Sequence, residues 1–248
     1  EYEKLLDRIK LQFQKEFMTA NGRLISETQT AYILALQFDM IPGSLRPAAL
    51  ERLVTNIESY KYHLTTGFLG TPFLNPVLTR FGRNDVAYKL LLQDTYPSWL
   101  YPIKAHGATT IWERWDSMKP DSTFQDPGMT SFNHYAYGAV GDWMYRTIGG
   151  IDTEEFDGAG YKQSVIKPEL GGGLTFAKTI LDTSYGKISS DWRLDSNAFT
   201  LQIDIPANTS ASVILPMQGF KQIQQDGQVI TGDRVRVGSG KYVFTLTK

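Results

Sequence analysis

The chain has 248 residues, of which 42% are hydrophobic and 21% charged, with 25 Lys and Arg against 26 Asp and Glu. The near-neutral balance removes any electrostatic reason to expect nucleic acid or an anionic membrane as a partner, and the absence of cysteine excludes disulfides, thiol chemistry and thiolate metal sites. No apolar run approaches the roughly 20 residues that a membrane span requires.

This length can bury a large core and hold one or two domains. The N-terminus, Glu1-Tyr-Glu-Lys-Leu-Leu6, is no signal peptide and reads like the middle of a helix, as a fragment of a longer protein would. Tyr2, Leu5, Leu6, Ile9, Phe13 and Phe17 then form one apolar stripe with charges opposite, the pattern of an amphipathic helix. Residues 30 to 38 are apolar nearly all round and predict a buried helix. A second stripe follows in Ala49, Leu50, Leu53, Val54, Ile57 and Tyr60, with Pro47 as a first-turn residue. Residues 71 to 81 are again mostly apolar, and a helix capped by Asn84 is expected through Leu92. Two further apolar helices are expected from near Thr110 and near Ser131, the second ending at Gly149-Gly150.

Amphipathic and apolar helices thus alternate, as in an α/α toroid, although a generic helical bundle has the same periodicity. The segments ahead of the apolar helices share a character: Leu24 to Thr30, Thr65 to Thr71, Gly107 to Thr110, and Thr130 to His134 are rich in Gly, Thr, Ser or polar rings. Inner helices pointing the same way would bring all four junctions to one end of the axis, where a pocket would form.

From about Tyr161 the period changes to two. Ile188, Ser190, Trp192 and Leu194 alternate with polar neighbours, as do Phe199, Leu201, Ile203 and Ile205, and then Tyr242, Phe244 and Leu246. Turn signals lie at Gly171-Gly-Gly173, Tyr185-Gly186, Asp195-Ser-Asn197, Asp226-Gly227 and Gly238-Ser-Gly240. About eight short strands are expected, as an antiparallel β-sandwich. The predicted architecture is a partial (α/α)6 toroid over residues 1–152 followed by a β-sandwich over residues 153–248.

Chemistry concentrates at the junctions. In Gly107-Ala-Thr-Thr-Ile-Trp-Glu-Arg-Trp-Asp-Ser117, Glu113 stands between Trp112 and Trp115, in the first turn of the expected helix. Two readings remain open. Glu113 could stabilise its own helix over a Trp112 and Trp115 core, or it could be an ionised carboxylate, favoured by the helix dipole, that activates water beside a sugar held on indole rings. His134 is either a packing histidine or a neutral imidazole that exchanges hydrogen bonds with sugar hydroxyls. Asp116 is one turn from Glu113, and two carboxylates on one helix face cannot straddle a scissile bond. Apart from Glu27, no second acid is obvious at the junctions. His63, His106 and His134 show no metal-ligand spacing, and no nucleophile elbow, P-loop or dinucleotide fingerprint is present. No metal or cofactor is expected.

Several segments in order along the chain are similar to the bacterial α-L-rhamnosidases of glycoside hydrolase family 78. They are Thr28-Gln-Thr-Ala-Tyr32, Tyr62-His-Leu-Thr-Thr-Gly-Phe-Leu-Gly-Thr-Pro72, Gly107 to Trp115, and Ser131-Phe-Asn-His-Tyr-Ala-Tyr-Gly-Ala139. Gly171 to Ala177 and Tyr185 to Ser190 also resemble that family's C-terminal domain. The resemblance implies an (α/α)6 barrel with a β-sandwich and the inverting hydrolysis of terminal α-L-rhamnosides, on a rhamnose-containing glycoside or polysaccharide. It implies that Glu113 is the general base and that His134 contacts the sugar; Trp112 and Trp115 join them as substrate-binding candidates. The family's general acid lies in an Asp-x-x-x-Arg-Asp-Glu-Arg run with no counterpart here, and about seven helices are expected where a closed barrel has twelve. A missing N-terminal part of the same protein is therefore expected as a partner, and the chain alone should be inactive. Other readings are a different α/α-barrel glycosidase or lyase, or a non-catalytic carbohydrate-binding module. Export to the periplasm or beyond would suit an enzyme of polysaccharides, but no residue decides it.

Overall fold

The computed structural model describes residues 1–128, 130–154 and 158–248. The chain forms two compact units, Glu1–Val140 and Gly141–Lys248.

The first unit is helical. Helix α1, Tyr2–Phe17, has no buried residue: its apolar stripe is laid out as the period predicts, yet Leu5 and Ile9 remain about half exposed. Helix α2, Gln29–Gln37, starts where the Thr28 side chain accepts the Ala31 N–H at 3.2 Å, and it buries Tyr32, Ile33, Ala35 and Leu36. Helix α3, Arg46–Ser59, turns Ala49, Leu53, Val54 and Ile57 inward, with a proline in its first turn as expected. Helix α4, Thr71–Arg80, packs against both α2 and helix α5, Asn84–Leu92. The expected Asn84 cap is corrected: Asn84 is the first helical residue, Arg83 occupies the cap position, and the Arg83 guanidinium is turned onto the Asp85 carboxylate.

The larger correction concerns residues 100 to 118. A helix that the sequence reading missed, α6 (Leu100–His106), ends at Gly107, whose φ of 63° is the left-handed geometry that terminates helices. No helix starts at Thr110, and residues 107–128 contain none. Instead, the backbone of residues 111–113 pairs with residues 131–134: Glu113 N–H donates to Ser131 O at 2.9 Å and His134 N–H to Ile111 O at 2.8 Å. The Thr110 hydroxyl donates to Phe132 O at 2.6 Å instead of capping a helix. Once these groups are committed to the neighbouring segment, they are lost to an α-helical ladder.

A 3-10 helix, Tyr135–Ala139, closes the first unit; a short helix, α7 (Val140–Trp143), and a π-helical turn, Met144–Ile148, come next. The last apolar helix therefore starts four residues later than Ser131 and is built of three geometries. Among the described residues of this unit, α6 takes the place of the helix expected at Thr110.

The second unit is a sandwich of two sheets, with strand orders β1-β2-β6-β9 and β3-β4-β5-β10-β7-β8. The strands are β1 (Ile151–Thr153), β2 (Gln163–Ile166), β3 (Phe176–Thr183), β4 (Gly186–Leu194) and β5 (Ala198–Ile205). They continue with β6 (Ser210–Ile214), β7 (Gln222–Gln225), β8 (Gln228–Ile230), β9 (Arg234–Val237) and β10 (Gly240–Thr247). Strands β1 and β8, of three residues each, are too short to display a period. All pairs are antiparallel except β2 with β6, which run parallel. Between them the chain builds β3, β4 and β5 in the other sheet, the long crossover that parallel neighbours need. Trp192, Phe199, Leu201, Phe244 and Leu246 are fully buried, and the Trp192 indole N–H donates to Ile148 O at 2.8 Å. Trp192 is core, as its alternation with Ile188 predicts.

Candidate active site

The four polar junctions converge within the helical unit. The first two are joined by Gln29, whose amide donates to His63 O at 3.2 Å and whose carbonyl accepts the Thr65 N–H at 3.0 Å. The segment that follows the third junction is tied to the second by Trp115, whose indole N–H donates to Thr66 O at 2.6 Å. The third and fourth, Gly107 to Thr110 and Thr130 to His134, are joined by the Thr110 hydroxyl, which donates to Phe132 O at 2.6 Å. Phe68 links the second to the fourth, stacked on His134 with ring centroids 4.7 Å apart and planes 10° from parallel.

Glu113 lies against the fourth junction and on no helix, so the expected first-turn dipole is corrected. Its placement comes from a reciprocal backbone contact: Glu113 N–H donates to Ser131 O, and the Ser131 N–H donates back to Glu113 Oε2 at 2.7 Å. One carboxylate oxygen is thereby fixed, and among the described residues the other takes no hydrogen-bond partner. A carboxylate with one oxygen held and one available can take a proton from a water in a fixed direction. Asp116 is committed elsewhere, to Arg114 at 3.5 Å, and Glu27 faces Arg23 at 3.8 Å from an exposed position.

The two tryptophans play structurally different parts. Trp112 is buried, with His106 on one side at 5.7 Å and Phe132 edge-on at 5.1 Å. Trp115 is stacked on Tyr137, with centroids 3.9 Å apart and planes 6° from parallel, and it meets Trp99 edge-on at 5.3 Å. Trp99 in turn donates to Tyr137 O at 2.9 Å. The Tyr137 phenol is buried, which pushes its pKa above the ordinary tyrosine value, and the negative charges of Asp116 and Glu113 act in the same direction.

His134 lies one residue ahead of the 3-10 helix, not inside a first turn. Its Nδ1 accepts the Ala136 N–H at 3.3 Å, and Nε2 takes no partner among the described residues. Two rings lie nearly parallel to the imidazole, Phe68 at 4.7 Å and Tyr135 at 5.6 Å. His134 lines a cleft together with Phe68, Pro72 and Ile111. Of the other histidines, His63 bonds Thr95 Oγ1 at 2.9 Å, and His106 lies 2.9 Å from the Tyr101 hydroxyl. Among the described residues no group of His, Asp and Glu has the geometry of a metal site, and no helix is long and apolar enough to cross a membrane.

Sequence reasoning did not single out Phe68, Trp99 or Tyr137 as site-building residues. The sequence signal for Tyr137 was its place three residues after His134; nothing local marked Trp99, because the helix it precedes was missed.

A helical unit whose polar and aromatic junctions are joined beside one carboxylate, followed in sequence by a β-sandwich, is the organisation of a six-hairpin glycosidase domain joined to a C-terminal domain. Residues 1–148 match the bacterial alpha-L-rhamnosidase six-hairpin glycosidase domain, and residues 150–229 match the bacterial alpha-L-rhamnosidase C-terminal domain. The chain belongs to the bacterial α-L-rhamnosidase family. It is similar to an alpha-L-rhamnosidase of Streptomyces avermitilis, 45% identical over 99% of this chain and 24% of that protein. It is also similar to one of Formosa agariphila, 40% identical over 94% of this chain and 25% of that protein. The crystal structure of the Streptomyces avermitilis enzyme complexed with L-rhamnose superposes with a TM-score of 0.92, at 45% identity, covering 98% of this chain and 24% of that one. The chain thus spans about a quarter of the length of the curated relatives it matches.

Proposed function

We propose that the chain forms part of a glycoside hydrolase that removes terminal α-L-rhamnose from a rhamnose-containing glycoside or polysaccharide with inversion. In this reading residues 1–152 supply the C-terminal half of the catalytic barrel and residues 153–248 the sandwich domain. Glu113 is the general base. It deprotonates a water that attacks the anomeric carbon, while a carboxylic acid outside these residues protonates the departing oxygen from the opposite face. Inversion requires the two carboxyl groups to stand roughly 6.5–9.5 Å apart, leaving room for the water. His134 binds a sugar hydroxyl through Nε2. Trp115 and Trp112 both line a cleft with Trp99 and Ile111, on the substrate side in this reading.

The observation that carries this reading is the Ser131 N–H donated to Glu113 Oε2 at 2.7 Å. A single oriented carboxylate among aromatic rings and a ring-stacked histidine suits water activation beside a sugar. Family membership and the similarity to enzymes called alpha-L-rhamnosidase support rhamnose as that sugar.

The test compares wild type with Glu113→Gln in the enzyme that carries this chain, using p-nitrophenyl α-L-rhamnoside. Glutamine keeps an oxygen for the Ser131 N–H but cannot take a proton, so kcat should fall roughly 10²–10⁴-fold with the fold intact. An unchanged rate would remove Glu113 from catalysis. The anomer released first, read by NMR, should be the inverted one. The purified 248-residue chain should turn over no rhamnoside, since it would hold only one of the two carboxyl groups.

A further inference from the structure

Among the described residues, the two sheets of the sandwich have four edges, and three of these are short strands. Strands β1 and β8 have three residues each and β9 has four. The fourth edge is β3, with eight residues. It contains no proline, and its pairing with β4 runs unbroken from Phe176↔Arg193 to Thr183↔Gly186, so no bulge bends it away. Backbone N–H and C=O groups of a strand alternate between its two sides. Those on the open side of β3 have no backbone partner among the described residues. A long open edge of this kind is a template for another strand, and folded proteins ordinarily blunt it.

The side chains select the partner. Ala177 and Leu181 stand opposite the buried Trp192 and Ile188 on β4, and so share the core face. The other face carries Phe176, Lys178, Ile180 and Asp182, with Phe176 63% and Ile180 46% exposed. Asp182 meets Lys187 at 2.7 Å, whereas Lys178 has no ion pair among the described residues. The order cation, apolar residue, anion at a spacing of two is complementary to its own reverse. We propose that β3 is a self-association edge, at which two copies of this chain pair β3 with β3 antiparallel and continue the six-stranded sheet across a two-fold axis. With Ile180 opposite Ile180 at the axis, Lys178 of each copy faces Asp182 of the other. This register is specific. An axis at Lys178 or at Asp182 sets like charges opposite each other, and one at Thr179 or Leu181 sets a charge against Ile180. Lys178, which alone would blunt the edge, thereby selects a second copy. About six main-chain hydrogen bonds and two ion pairs make a small interface, so the dimer should dissociate on dilution. Nothing in this pairing depends on the reaction catalysed.

The test is sedimentation equilibrium of the enzyme that carries this chain, which should show a monomer–dimer equilibrium. Lys178→Asp sets carboxylates opposite each other at both ends of the pairing and should raise the dissociation constant about tenfold. The double variant Lys178→Asp with Asp182→Lys restores opposite charges across the axis. It should return the dissociation constant to about the wild-type value, a recovery that general damage to the sandwich would not give. Both positions are on the solvent face, so these changes should leave the circular dichroism spectrum unaltered. A wild type that is monomeric at every loading concentration would overturn the proposal. So would a dimer equally tight in Lys178→Asp, or no recovery in a folded double variant.

Discussion

At the residue scale, single polar groups are held by backbone atoms rather than by one another. Glu113 is oriented by Ser131 N–H, His134 by Ala136 N–H, and Trp115 by Thr66 O. This makes Trp115 a stability residue as well as a wall of the cleft. Thr66 is buried, so Trp115→Phe would strand its carbonyl and should cost about 1–3 kcal/mol, read from the urea midpoint at unchanged m-value. A second residue-scale prediction concerns pH. The Asp195 carboxyl accepts the N–H groups of Asn197 at 2.7 Å and Ala198 at 2.8 Å, which hold its pKa below the ordinary carboxylate value. Its contribution to stability is therefore complete above the unfolded value of about 3.9 and is lost as pH falls through the lower, folded one. Asp195→Ala should flatten that part of the acid unfolding curve; an unaltered curve would count against the assignment.

At the element scale, the sequence period located most helices and strands, and it failed where tertiary hydrogen bonds competed. The segment from Thr110 to Ser117 has apolar residues and a threonine start, yet its backbone pairs with residues 131–134. The period could not reveal this, because that partner is some twenty residues away. Helix α6 was missed because Pro102 and a short run of seven residues give little periodic signal. The parallel β2–β6 pairing was equally illegible, since alternation defines a face and not a partner. Close packing at element ends was also hidden. A Cβ at Gly150 would stand 2.3 Å from Pro168 N, at a φ of 73° that L-residues disfavour. Gly150→Ala should therefore cost at least about 2 kcal/mol by thermal or urea unfolding, because backbone, unlike a side chain, cannot swing aside.

At the scale of the whole molecule, the unusual feature is α1. Its stripe has the layout of a buried face, but Tyr2, Leu6 and Phe17 are 84%, 46% and 51% exposed. Burial, not pattern, sets the energetic weight of a residue, so Leu6→Glu should shift the unfolding free energy of this chain by no more than about 0.5 kcal/mol. A large loss would mean that the stripe is covered after all. The same distinction applies to the site. The partnership proposed for Glu113 and His134 requires separate loops to meet, and hydrogen bonds and one ring stack join those loops.

What the sequence determined by itself was the change of period between about residues 150 and 161, the faces of α2, α3 and the sandwich strands, and the polar character of the junctions. All of these depend on neighbours within a few residues, and local spacing encodes them. The candidate residues Glu113 and His134 were legible for the same reason: charged and polar groups stand out in aromatic surroundings. Tertiary structure alone decided that Glu113 is held by Ser131 and not by a helix dipole, that the Trp115 face is occupied by Tyr137, and that Phe68 stacks on His134. Each of those is a contact between segments far apart in the chain, and such pairings depend on how the whole unit packs, which no window of the sequence contains.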